Sequence, residues 1–141
     1  MDHSEPYPDG YIADILDSVR TIAVVGASPR ENRPSHIIMQ TLLDAGFNTI
    51  PVNPNAPGLI LGKQVYDTLA DVPEPVDMVD VFRRSEALMG VVEEAIAVGV
   101  KVVWTQLGVI DEKAAEVAEA AGLKVVMNRC PRIELGRLDR L

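Results

Sequence analysis

Four arginines stand just beyond apolar, strand-like runs in a chain whose formal net charge is −8. Arg30 and Arg33 follow the run Ile22–Val25 and its Gly26-Ala27-Ser28 turn; Arg83 and Arg84 follow Met78–Val81 and Phe82. A guanidinium presents a planar fork of donors that matches phosphate oxygens two at a time, so this grouping suits an anionic ligand. Pro34-Ser35 opens a helical pattern, and a helix N-terminus turns free N–H groups and the positive end of its dipole toward the same kind of guest. Asn53-Pro54 follows the run Thr49–Val52, and Gln106-Leu107-Gly108 follows Val102–Trp104, adding amides and small residues. Each piece has a plainer reading. Gly26 suits a simple turn, Ser35 a helix cap, Asn53-Pro54 a loop, and one of the paired arginines a solvated charge. The shared-site reading gains because all of them map to one end of one set of strands.

Those strands come from the apolar pattern. Five strand-like runs, Ile22–Val25, Thr49–Val52, Met78–Val81, Val102–Trp104 and Lys124–Met127, alternate with helical stretches at Ser35–Ala45, Ser85–Val98 and Asp111–Ala121. Tyr11–Arg20 repeats apolar residues at Ile12, Ile15, Leu16 and Val19, the spacing of a short amphipathic helix. Strand and helix in alternation predict an α/β fold: a doubly wound, parallel, five-stranded Rossmann-like sheet in the order 3-2-1-4-5, with helices on both faces. Ligands of such sheets bind beyond the carboxyl ends of the strands, where the strand order reverses. Residues 1–141 are expected to form a single domain, with a loose N-terminus over 1–10 and an arginine-rich tail over 128–141 that lies on or near the sheet edge.

Composition narrows the function. Hydrophobic residues make up 48% of the chain and aromatic ones only 4%, so aliphatic side chains must fill the core. The acidic balance, with a pI near 4.7, disfavours sequence-independent nucleic-acid binding and attraction to anionic lipid. The expected partner is a small molecule, with no nucleic acid and no membrane; the sequence does not fix a protein partner or an oligomeric state. One cysteine, Cys130, leaves no disulfide framework and no paired-cysteine metal site, which suits a reducing cytoplasm. The loop after the first strand has one glycine where the dinucleotide fingerprint needs three, and the second strand ends without the carboxylate that holds a ribose. NAD is therefore disfavoured, and NADP less so because arginines are present. There is no G-x-x-x-x-G-K-[ST] run for a nucleotide hydrolase.

Taken in order, Ala23-Val24-Val25-Gly26-Ala27-Ser28, Val52-Asn53-Pro54, Asp80-Val81-Phe82-Arg83-Arg84, Val103-Trp104-Thr105-Gln106-Leu107-Gly108 and Asn128-Arg129-Cys130 resemble the stand-alone CoA-binding protein family. These are small Rossmann-like proteins related to the N-terminal domain of the succinyl-CoA synthetase alpha subunit. The resemblance spans about residues 16–135 and implies coenzyme A or an acyl-CoA as ligand. It implies that the Gly26–Ser35 loop cradles the phosphates, with Arg30 or Arg33 in support. It further implies that Asn53-Pro54 borders the adenosine, and that Phe82-Arg83 and Gln106–Gly108 line the path of the pantetheine arm. The chain departs from the family pattern at Asn128, where an acidic residue is common, and at Pro131.

No catalytic set and no metal set emerges from the spacing. His36, on the first turn of a helix near the phosphate loop, and Cys130, after the last strand, are the candidate reactive groups. The leading expectation is a non-catalytic CoA-binding module acting as a carrier, sensor or regulatory subunit. The alternatives are a NADP-linked oxidoreductase or acyl-CoA enzyme using Cys130 or His36, and an interaction protein with a vestigial site.

Overall fold

β-Branched runs too short for a helix, each closed by a glycine or a polar turn, build a central parallel sheet. The computed structural model describes residues 1–56 and 58–141; Pro57, within the turn-rich Asn53–Gly58 run, lies outside the described residues. Along the chain come α1 (Asp9–Ser18), β1 (Thr21–Val25), α2 (Pro34–Asp44) and β2 (Asn48–Val52). A small hairpin of β3 (Leu59–Ile60) and β4 (Lys63–Gln64) precedes β5 (Met78–Val81), α3 (Leu88–Val98) and β6 (Val102–Thr105). α4 (Glu112–Ala120), β7 (Lys124–Val126) and α5 (Pro131–Arg137) complete it.

The main sheet has five strands in the order β2-β1-β5-β6-β7, all pairs parallel. Just past β4, Tyr66 makes a parallel bridge to Val52 on the open side of β2. Counted as a rudimentary third strand, this segment gives the Rossmann-like series 3-2-1-4-5, continued by β7. Met78–Val81, third among the strand-like runs, thus takes the fourth place, beside β1. The strand order reverses between β1 and β5, and that is where a ligand is expected.

Alternating side chains on each strand feed two cores. Ile22, Val24, Met78, Trp104 and Val126 pack on one face with α1, α2 and α5; Ala23, Val25, Val79, Val81, Val103 and Val125 pack on the other with α3 and α4. The arrangement matches the expected helices on both faces.

Two residues of the N-terminal segment, His3 and Tyr7, are anchored. Tyr7 is buried; its hydroxyl accepts the Met127 N–H at 2.9 Å and lies 2.6 Å from His3 Nδ1. The other ring nitrogen of His3 is 3.0 Å from Glu119 on α4. Tyr11, stacked on Tyr7, donates its hydroxyl to the Val125 carbonyl and accepts the Val125 N–H. The cause is the exposed edge of β7, whose free backbone groups these two hydroxyls satisfy. The tail also gains structure: Pro131 starts α5, which packs on α2, and Arg137 and Arg140 pair with Asp9 and Asp17 around α1.

Asp80 breaks the apolar pattern. It sits on β5 in register with Val24 and Trp104, is fully buried, and among the described residues has no hydrogen-bond partner on either carboxyl oxygen. Burial raises its pKa well above the ordinary carboxylate range, so the folded state favours the protonated acid. The folded chain therefore holds a proton that the unfolded chain releases above the ordinary value of 3.8. Stability is greatest below that pH and falls as pH rises through the raised folded value. Asp80→Val is expected to stabilise the fold by about 1–3 kcal/mol at pH 7 and to flatten this pH dependence, because an unpartnered polar group is replaced by an apolar one. Chemical denaturation of both forms between pH 4 and pH 8 checks this; a variant less stable than the parent at pH 7 would contradict it.

Candidate functional site

The site begins where β1 meets its turn. Gly26 has φ +91°, a left-handed backbone that L side chains rarely adopt. Its N–H donates to the Val52 carbonyl at 2.9 Å, and the Phe82 N–H donates to the Val25 carbonyl at 2.8 Å. These bonds bring the turn so close to Phe82 that a Cβ on Gly26 would overlap the Phe82 carbonyl oxygen. One glycine is required here for close approach, and the other two of the dinucleotide pattern are absent.

The loop beyond is set by short polar contacts. Ser35, buried on the first turn of α2, accepts the Ser28 N–H at 3.1 Å, and Ser28 accepts the Arg30 N–H at 3.2 Å. Ser35 thus ties the loop to the helix instead of capping it. The N-cap position belongs to Arg33, which makes no side-chain cap, and Pro34 occupies the first helical position. Asn53, directly after β2, braces the loop by donating its Nδ2 to the Ala27 carbonyl at 2.7 Å.

A cleft of about 570 Å³ opens over the ends of β1, β5 and β6. Gly26, Ser28, Arg30, Arg33, Pro34, Ser35, Phe82, Arg83, Arg84, Gln106 and Gly108 all line it, as do Leu107 and Val109. Of the expected site residues, Ala27, Asn53 and Pro54 do not line it. Ala27 is buried in the core, and Asn53 spends its amide on the brace. Val109 went unmarked in the sequence because it lies four residues past β6, where an aliphatic residue reads as core.

Four arginines gather in this cleft, and among the described residues none of Arg30, Arg33, Arg83 and Arg84 pairs with a carboxylate. Unpaired cations gathered on an acidic chain keep their full hydrogen-bonding capacity for an external anion. The far wall is rigid. Thr105 donates its hydroxyl to the Val109 carbonyl at 2.6 Å, and Ser85 accepts the Ile110 N–H at 2.9 Å. Asn128, at φ +59°, accepts the Gly108 N–H at 2.7 Å; asparagine tolerates this left-handed backbone better than most residues. Gln106 brings an amide whose Oε1 is buried without a partner among the described residues.

The two candidate reactive groups lie elsewhere. His36 follows Ser35 on α2, about 100° further round the helix, and lines a separate cavity with Glu31, Gln40 and Arg132. Cys130 is buried in the core beneath α5 and does not line the cleft. Among the described residues no helix is long and apolar enough to cross a membrane, and no cluster of His, Cys, Asp and Glu is arranged to hold a metal ion.

A Rossmann-like sheet with a cationic cleft at its switch point defines a class of proteins that bind phosphate-bearing ligands. Residues 20–136 match the CoA binding domain family, and the chain belongs to that family. It is similar to the uncharacterized protein YneT of Bacillus subtilis (strain 168), with 39% identity over 122 residues, 86% of this chain and 90% of that one. Among solved structures, a hypothetical protein from Pyrococcus horikoshii OT3 is 38% identical, with a TM-score of 0.91, covering 98% of this chain and 99% of that one. The protein PH1109 redesigned for binding is also 38% identical, with a TM-score of 0.93, covering 97% of this chain and 96% of that one. A more distant relative, acetate–CoA ligase (ADP-forming) I of Archaeoglobus fulgidus, is 29% identical over 79% of this chain, which spans 18% of the ligase.

Proposed function

We propose that this chain binds coenzyme A or an acyl-CoA in the cleft over β1, β5 and β6, without catalysing a reaction, as a carrier, sensor or regulatory module. The observation that carries this reading is the convergence of four unpaired guanidiniums on one cleft of an acidic protein that belongs to a CoA-binding family. Coenzyme A carries a diphosphate and a phosphomonoester, each an acceptor for a guanidinium fork. In this reading the Gly26–Ser35 loop and its arginines hold phosphate, the adenosine extends beyond the cleft toward Asn53-Pro54, and Phe82-Arg83 with Gln106–Gly108 flank the pantetheine arm. A binding role in place of catalysis is supported by the positions of His36 and Cys130, which put neither an imidazole nor a thiol in the cleft. The test is calorimetric titration of the purified chain with CoA, set beside NAD and NADP; the reading expects heat of binding from CoA and none of comparable affinity from the dinucleotides.

A further inference from the structure

The strand order lays the groups of the cleft along a line. Guanidiniums come from the loops after β1 and β5, and the loop after β6 ends the line with apolar side chains. On that last loop Leu107 is 53% exposed and Ile110 47% exposed, side by side with the buried Val109. Scattered exposed aliphatic residues are ordinary on protein surfaces, but these two are held in place by unusual means. Five side-chain hydrogen bonds, made by Thr105, Ser85 and Asn128, fix the loop, and Asn128 adopts a left-handed backbone to make its own. A loop so fully determined does not fold its leucine and isoleucine inward. It presents a preorganised apolar ledge that begins in the cleft at Leu107 and Val109 and runs on to Ile110 just outside it.

On the reading that the cleft binds CoA, we infer that the preferred ligand is a thioester with an aliphatic acyl chain, which lies on the Leu107–Ile110 ledge. The arginine end takes the phosphates, so the arm that leaves them toward β6 delivers its thiol end to the apolar side. A free thiol leaves the ledge wet; an aliphatic chain covers it.

The experiment is calorimetric titration with CoA and with octanoyl-CoA, kept below its micelle-forming concentration, for the parent chain and for Ile110→Ser. Ile110 is exposed and does not line the cleft, and measurable CoA binding by the variant shows that it is folded. The parent is expected to bind octanoyl-CoA about tenfold more tightly than CoA, the gain from removing roughly 55 Å² of apolar surface from water. In the variant that ratio is expected to fall to about threefold or less. Equal affinities in the parent would overturn the inference while leaving CoA binding intact, and the ledge would then belong to some other partner. A tenfold ratio that survives in the variant would also overturn it, by placing the chain elsewhere. Failure of the parent to bind either compound would remove the CoA reading itself.

Discussion

Arg33→Ala/Arg83→Ala is expected to bind CoA about 10²- to 10⁴-fold more weakly than the parent chain. Hydrogen bonds to charged groups contribute about 1.5–3 kcal/mol each, and the two residues approach the ligand from different loops, one after β1 and one after β5. Their losses should therefore be close to additive. The fold should be untouched, because neither guanidinium pairs with a carboxylate among the described residues and the loops are held by Ser28, Ser35 and backbone bonds. Binding by the parent should also weaken as salt rises, and the double variant should show a shallower salt dependence. Arg132→Ala, in the cavity beside His36, is the control and should change CoA affinity less than twofold. If all three proteins bound CoA alike, the cleft would not be the phosphate site.

Gly26→Ala is expected to damage both stability and binding. The backbone there has φ +91°, and the added Cβ meets the Phe82 carbonyl oxygen, a backbone atom that no side-chain rotation removes. A left-handed backbone costs an L residue about 1–2 kcal/mol, and relief of the overlap must push the β1 turn away from β5. Together these predict a loss of about 2–4 kcal/mol, seen as a lower midpoint in chemical denaturation. Moving the turn also displaces Ser28 and Arg30, so CoA affinity should fall even under conditions where the variant is fully folded. A variant as stable as the parent would show that the turn has room that the structure does not give it.

The alternation of apolar runs with helical repeats made the fold legible, because parallel strands buried on both faces and crossover helices leave separate periodicities. The rim was legible for the same reason: the residues just after each strand must lie at one end of a parallel sheet. So the four arginines, Gly26, Ser35 and Gln106 meet in the cleft as their positions in the sequence imply. What the sequence hid depends on side-chain direction and on distant contacts. His36 is next to Ser35, yet one step round the helix turns it to another cavity. Asn53 stands at the right strand end but spends its amide on the Ala27 carbonyl. The anchoring of Tyr7 rests on its meeting Met127, a pairing 120 residues apart that no local pattern announces. α5, seven residues long, is too short for its apolar period to stand out. Asp80 was visible as an acid in a strand, but its lack of partners is a fact of the folded core alone.

Calorimetric titration of the unmodified chain with CoA decides whether the cationic cleft binds coenzyme A. The expected result is a saturable isotherm with one CoA per chain and an affinity that weakens as salt increases. An absence of binding heat up to millimolar CoA, at two temperatures so that a zero enthalpy is not mistaken for no binding, would contradict it.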